Sequence, residues 1–247
     1  MQNEKKDWGT PQRISLDEFS RQKGQRDFVT VVSDIDKGSL LEVIDSHKSE
    51  EIIAALKEQP QAIREQVKEV SVDMWGGFKK VIKEVFPNAI IVIDRFHVMK
   101  LVNQALNKIR ILLELKGLKN RYLLLKNGSD LNNEQKTELE QLLSQSACLR
   151  IAYELKEEFR AIYETSTTVS MGLRRMKSWL ISARIILGQV ADTISTHLQE
   201  ICHYFIHKTT SGVMEGINTR IKLIIRQSYG FKSFASLREK LLACLFQ

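Results

Sequence analysis

The run Ala89-Ile-Ile-Val-Ile-Asp94 constrains the fold of this chain most strongly. It is apolar on both alternations of an extended strand and ends in a carboxylate. A strand without a polar face must be buried on both sides, as the central strand of a helix-covered sheet is. The helical stretch before it, Phe78-Lys-Lys-Val-Ile-Lys-Glu-Val85, is stopped by Pro87-Asn88. Earlier still, Val67-Lys-Glu-Val-Ser-Val-Asp73 reads as a further strand that also closes on an aspartate.

The residues before these complete the pattern. Ile14-Ser-Leu-Asp-Glu-Phe19 reads as a strand with Ile14 and Leu16 on one face and Ser15 and Asp17 on the other. Asp27 to Ile35 is rich in β-branched residues, and Asp36-Lys-Gly38 gives a hairpin turn into Ser39-Leu-Leu-Glu-Val-Ile44. Three strands joined by short turns imply an antiparallel meander. Ser49 is placed to cap a helix carrying Ile52-Ile-Ala-Ala-Leu56. The order βββ-α-β-α-β is that of the ribonuclease-H-like fold. From about residue 98 to 208 the strand signals cease. Helical periodicity runs through Met99–Leu118, Asn132–Tyr163, Val169–Leu187 and Ala191–His207, with breaks at Lys126–Asp130 and Thr165–Thr168. The expected fold class is therefore α/β: a ribonuclease-H-like mixed sheet core interrupted by a large all-helical insertion. Residues 1–98 form the first part of the core, 99–208 the insertion and 209–247 the C-terminal helical part.

The chain has 247 residues, enough for one sizeable core carrying an insertion. A net charge of +7 leans toward a polyanionic partner. No run reaches the ~18 apolar residues of a membrane span, so no membrane partner is expected. The N-terminus, Met-Gln-Asn-Glu-Lys-Lys-Asp-Trp, has no apolar signal run. Cys148, Cys202 and Cys244 are odd in number and far apart, which fits a reducing cytoplasm. His203 and His207 stand four apart beside Cys202, but no second pair with zinc spacing accompanies them. Trp75 and Trp179 are read as core anchors.

The carboxylates carry the chemistry. Aspartate is disfavoured within strands, yet Asp17, Asp73 and Asp94 each sit in or at the end of one. The carboxyl ends of parallel strands open onto the ligand crevice of an α/β sheet. Asp73 and Asp94 therefore point to one rim, and Asp17 can reach it from the middle of the first strand. A late helix supplies a further acid, Glu215, with Lys222 and Arg226 within about 20° of it around the axis. Met214, Ile217, Ile221 and Ile224 occupy the opposite face. Two aspartates and one glutamate converging would offer hard oxygen ligands to Mg²⁺ or Mn²⁺, and two such ions support in-line phosphoryl transfer. Singly, a strand-end aspartate also suits a helix cap, and Glu215, Lys222 and Arg226 also suit a solvated face.

Three blocks now carry a resemblance: Asp73-Met-Trp75; Pro87-Asn-Ala followed by Asp94-Arg-Phe-His-Val-Met-Lys-Leu101; and Glu215-Gly-Ile-Asn-Thr-Arg-Ile-Lys222 with Arg226 and Tyr229-Gly-Phe231. From about Ile14 to Leu245 the chain resembles the DDE transposases of bacterial insertion sequences, of the ISL-three type. The resemblance implies metal-dependent cleavage and joining of DNA at element ends, by a homo-oligomer in a synaptic complex. Its acidic triad falls on Asp17, Asp73 and Glu215, which would hold two Mg²⁺ (or Mn²⁺) ions. Lys222, Arg226 and Lys100 would hold DNA phosphates. Asp94-Arg-Phe-His97 resembles a D-x-x-H signature of related transposases. His97 would bind the scissile phosphate or a catalytic carboxylate with Asp94 orienting it; alternatively Asp94 replaces Asp73 as second metal ligand.

The chain also departs from that pattern. Transposases of this type carry an N-terminal zinc-binding and helix-turn-helix region, whereas about a dozen polar residues precede the first strand here and no CxxC pair occurs. The expectation is a catalytic domain without the N-terminal DNA-binding region. A non-catalytic DNA-binding or regulatory remnant and a structure-specific nuclease on the same core are the alternatives.

Overall fold

A computed structural model of the chain describes residues 7–22, 26–74, 76–209 and 212–246. Contacts divide it into two compact units, residues 1–94 with 209–247, and residues 95–208.

The first unit is built on a five-stranded mixed sheet. β1 (Arg13–Gln22), β2 (Arg26–Asp34) and β3 (Ser39–Ile44) form an antiparallel meander, and β4 (Glu69–Val72) and β5 (Ile90–Ile93) extend it in parallel, giving the order β3-β2-β1-β4-β5. The turn between β2 and β3 is set by its residues. Asp34 Oδ1 accepts the backbone N–H groups of Asp36 (2.8 Å) and Lys37 (3.0 Å), and Gly38 takes a φ of +68°. Helices α1 (Ser49–Leu56), α2 (Gln61–Gln66) and α3 (Gly76–Val85) lie within the crossovers to β4 and β5.

Both faces of the sheet are covered, and β5, Ile-Ile-Val-Ile, carries no polar residue at all. Ile14 and Leu16 of β1, Val70 and Val72 of β4 and Ile91 of β5 pack with Ile52 and Leu56 of α1 and Phe78, Val81 and Ile82 of α3. On the other face Phe19, Val29, Val31, Leu40 and Val43 pack with Met214, Ile217, Ile221, Leu237, Leu241 and Leu242. That alternation puts Asp17, like Phe19, on the second face. Ser49 does not cap α1. It is the first helical residue after Lys48, no side chain caps the helix, and the Ser49 hydroxyl donates to the Gly77 carbonyl at 3.4 Å.

The second unit is entirely helical among its described residues: α4 (Arg95–Leu112), α5 (Leu118–Leu125), α6 (Asn133–Leu143), α7 (Ala147–Thr165), α8 (Val169–Leu187), α9 (Gln189–Thr196), α10 (Leu198–Cys202) and α11 (Tyr204–His207). Its first helix begins at Arg95 and stops at Leu112, whereas periodicity alone extends Met99 to Leu118. Positive φ angles at Glu114 (57°) and Gly117 (112°) break it and start α5. Asn132–Tyr163 is two helices: Ser146 accepts the Leu149 N–H at 3.3 Å and caps a new one. Trp179, 1% exposed, anchors the core, with its indole N–H on the Leu155 carbonyl at 2.9 Å and its ring 4.5 Å from Phe159. Trp75 lies outside the described residues. Lys156 is 1% exposed and reaches the C-terminus of α5, donating to the carbonyls of Leu124 (3.0 Å) and Lys126 (2.9 Å) and pairing with Glu157 at 2.5 Å. Cys202 is a core thiol, 3.6 Å from Met176 Sδ, and burial pushes its pKa up to about 12.

Gly172 of α8 lies directly under the Phe205 ring, where a Cβ would approach to 2.1 Å. Gly172→Ala is expected to destabilise the helical unit by about 1–3 kcal/mol or more, because the ring is buried and cannot swing away. A denaturant titration that shows no shift would contradict this packing.

Two helices complete the first unit, α12 (Gly212–Gln227) and α13 (Phe234–Leu245). Ser233 caps α13 on the Ser236 N–H at 3.2 Å, and Arg238 grips both Glu42 oxygens of β3 at 2.6 and 2.5 Å. The result is an α/β fold with a ribonuclease-H-like sheet and a helical insertion between β5 and α12.

Candidate active site

The register of the parallel strands places the aspartates. The last paired residues are Leu16, Val72 and Ile93. Asp17, Asp73 and Asp94 are the next residue on each of three adjacent strands. Asp17 thus sits where β1 parts from β4 while its other edge stays paired to Val31 of β2. Such a parting at the carboxyl ends of strands is where α/β sheets bind ligands. Asp94 is 8% exposed and its N–H donates to the Val72 carbonyl at 2.9 Å. Asp17 and Asp73 are half-buried.

The field there is negative. The Glu18 carboxyl is held above the usual carboxylate range, first by burial and then by the charge of Asp73, with Asp17 adding and His47 opposing.

Helix α12 approaches Asp17 through a residue that the sequence reading passes over. Asn218 Nδ2 donates to Asp17 Oδ2 at 2.7 Å, while Asp17 Oδ1 accepts the Glu18 N–H at 2.9 Å. The Asn218 Oδ1 is buried and has no partner among the described residues. A carboxamide three residues after Glu215 on the same polar stripe is the signal for it. Two contacts fix the start of this segment. The Thr209 hydroxyl donates to buried Glu69 and accepts from Arg13 Nη1 at 3.3 Å, both at the beginnings of β4 and β1. The segment therefore runs alongside β1 in the strand's own direction.

Glu215, Lys222 and Arg226 are all exposed on α12, opposite buried Met214, Ile217 and Ile221 and the partly buried Ile224. Glu215 stands about 4.5 Å back along the helix from Asn218, and Lys222 about 6 Å beyond it. Among the described residues, no three of the histidine, cysteine, aspartate and glutamate side chains are gathered closely enough to hold a metal ion. The structure brings Asp17, Asp73 and Asn218 to one rim and leaves Glu215 one turn back on the same helix. His97 and Lys100 belong to α4 in the helical unit. His97 is half-buried with Phe96 edge-on at 5.5 Å, and Lys100 is exposed.

The donors are of the kind a divalent cation takes: the carboxylates of Asp17, within β1, and Asp73, just past β4, and an orphaned buried amide oxygen, all hard. A bound cation would relieve the repulsion between carboxylates that share a rim.

Comparison with known proteins agrees with the sheet order. A family model described as transposase, of the DDE type named for ISL-three, matches residues 14–241. The chain is 26% identical over 241 residues to the transposase for insertion sequence element IS1001 of Bordetella parapertussis, covering 92% of this chain and 59% of that protein. It is 28% identical over 256 residues to the transposase for insertion sequence element IS1557 of Mycobacterium tuberculosis, covering 90% of this chain and 57% of that protein. The chain thus spans a little over half the length of the curated relatives it matches. No helix among the described residues is long and apolar enough to cross a membrane. With the match running through the sheet, the insertion and α12 alike, the chain belongs to the ISL-three type of DDE transposases.

Proposed function

We propose that this chain is the catalytic core of a DNA transposase that cleaves DNA strands at insertion-sequence ends and joins the freed 3′-hydroxyl to target DNA. The family match over residues 14–241 carries this reading, and the neighbouring Asp17 and Asp73 at the parting of β1 and β4 support it. Asp17, Asp73 and Glu215 are the proposed holders of two Mg²⁺ or Mn²⁺ ions. Such ions would activate the attacking oxygen and stabilise the leaving one.

The chain's own residues do the rest. Asn218 holds Asp17 through one amide hydrogen bond, which fixes the carboxylate plane against the sheet. Lys222 and Arg226 extend along one exposed stripe of α12 and bind phosphates of the strand being cut. His97 is proposed to bind the scissile phosphate or a catalytic carboxylate, with Asp94 orienting it. A synaptic homo-oligomer bringing two element ends together completes the reading.

Lys222→Ala is expected to weaken DNA binding uniformly across sequences and to lower the log–log salt slope by about 1. Equal slopes for the two proteins would remove Lys222 from the DNA surface. A second reading, a DNA-binding remnant without chemistry, is favoured by the position of Glu215 one turn from Asn218. A plasmid nicking assay with Mn²⁺ decides: nicked product supports the catalytic core, and binding without nicking supports the remnant. A strand-transfer assay separates the transposase from a nuclease, which would never join ends.

A further inference from the structure

The net charge of the chain is concentrated in one place. Residues 95–126 contain eight lysines and arginines and one acid, Glu114, a surplus equal to the +7 of the whole chain. The other 215 residues hold 29 cations and 29 acids and are balanced. This segment is α4, α5, the turn between them and Lys126, the residue that follows α5.

A groove of about 300 Å³ lies between those two helices, lined by Phe96, Lys100, Asn103, Gln104, Asn107 and Arg121 among others, with no acid among its lining residues. Among the described residues neither Lys100 nor Arg121 makes an ion pair, whereas Arg95 and Lys119 on the same helices pair with Glu164 and Glu138. Phe96 is 54% exposed, unusual for a phenylalanine on a structured helix. Asn103 Oδ1 is buried without a partner among the described residues, and Asn107 is held by Arg110 Nε at 2.9 Å.

We infer that this groove takes one unpaired nucleotide of a DNA strand. The inference rests on DNA being the substrate but not on the metal chemistry. Two unpaired cations supply the phosphate contacts, a half-exposed aromatic ring a stacking surface, and three carboxamides the hydrogen-bonding groups that base edges require. The volume sits at the lower end of the ~300–1,000 Å³ of small-ligand sites, which suits one nucleotide and not a duplex.

The test measures binding of a fluorescent oligodeoxythymidine of about 20 nucleotides, and of a duplex of equal length, in EDTA. Lys100→Ala with Arg121→Ala should weaken single-strand binding at least about tenfold and lower the salt slope by about 1.4, two phosphates at ~0.7 each. Phe96→Ala should weaken it about tenfold with the slope unchanged, within the ~5–150-fold that one stacked base supplies. Phe96→Trp should restore binding, and duplex affinity should respond little to either Phe96 variant. Single-strand affinity within twofold of the parent for Phe96→Ala, or equal losses for duplex and single strand, would overturn the proposal. A failure of the parent protein to nick DNA with Mn²⁺ would remove the catalytic reading and leave this binding result standing.

Discussion

Asp17→Asn is expected to lower Mn²⁺-dependent strand cleavage by on the order of a thousandfold, while duplex affinity stays within a few-fold of the parent. The substitution keeps the size of the side chain, and an Asn carbonyl oxygen can still accept the Asn218 amide hydrogen bond now made by Asp17 Oδ2. What it removes is one full negative charge at the parting of β1 and β4. Metal ions contribute several kcal/mol of transition-state stabilisation, and ~4 kcal/mol is about a thousandfold. Asp73→Asn and Glu215→Gln should behave alike, because each deletes one carboxylate of the same proposed set. The three variants should retain DNA binding, since phosphate contact is assigned to Lys222 and Arg226. Undiminished cleavage by any one of them would strike that residue from the proposed set. Loss of binding together with cleavage would show that the substitution had damaged the fold.

The second large effect is on stability. Trp179→Ala should cost the helical unit about 3–5 kcal/mol, the range for deleting a fully buried aromatic residue. The ring fills the space beside Phe159 at 4.5 Å, and its N–H meets the Leu155 carbonyl at 2.9 Å. Trp179→Phe keeps part of the volume and should lose less. With two compact units, one transition need not describe unfolding. Hydrogen exchange in α7 and α8 is therefore the appropriate readout. Unchanged protection of those helices in Trp179→Ala would contradict the packing.

What could be read from the sequence differs by element, for physical reasons. The hairpin at Asp36-Lys-Gly38 is legible because a turn with positive φ leaves a glycine behind, and β5 because burial on both faces leaves only apolar residues. Helix α8 is legible to its ends, since Thr168 caps its start on the Met171 N–H and Gly188 ends it. Helix α2 is not: Gln61-Ala-Ile-Arg-Glu-Gln66 buries no residue and so shows no periodicity. It is held from outside its own pattern, with Arg64 donating to the carbonyls of Gln59 and Val85. The division at Ser144-Gln145-Ser146 is hidden because the apolar stripes of α6 and α7 nearly continue one another and only the Ser146 cap marks the change.

The candidate site shows the same limit. Strand-end aspartates are visible in one dimension because aspartate is rare in strands, and register then sets them side by side. The spacing of Glu215, Lys222 and Arg226 gives the face of a helix they share. It does not give the height at which that helix crosses β1. Thr209 on Glu69 and Asn218 on Asp17 set that height, and both are contacts between residues well over a hundred positions apart in the chain.

The assignment of Asp17, Asp73 and Glu215 as metal holders is decided by where a divalent ion binds. A crystal of the full chain with Mn²⁺ and element-end DNA, read by anomalous scattering, measures this directly. The expected result is a peak beside the Asp17 and Asp73 carboxylates, with Glu215 drawn in from its present position one turn from Asn218. Manganese bound elsewhere, or a Glu215 carboxylate still facing solvent beside a filled site, would contradict it.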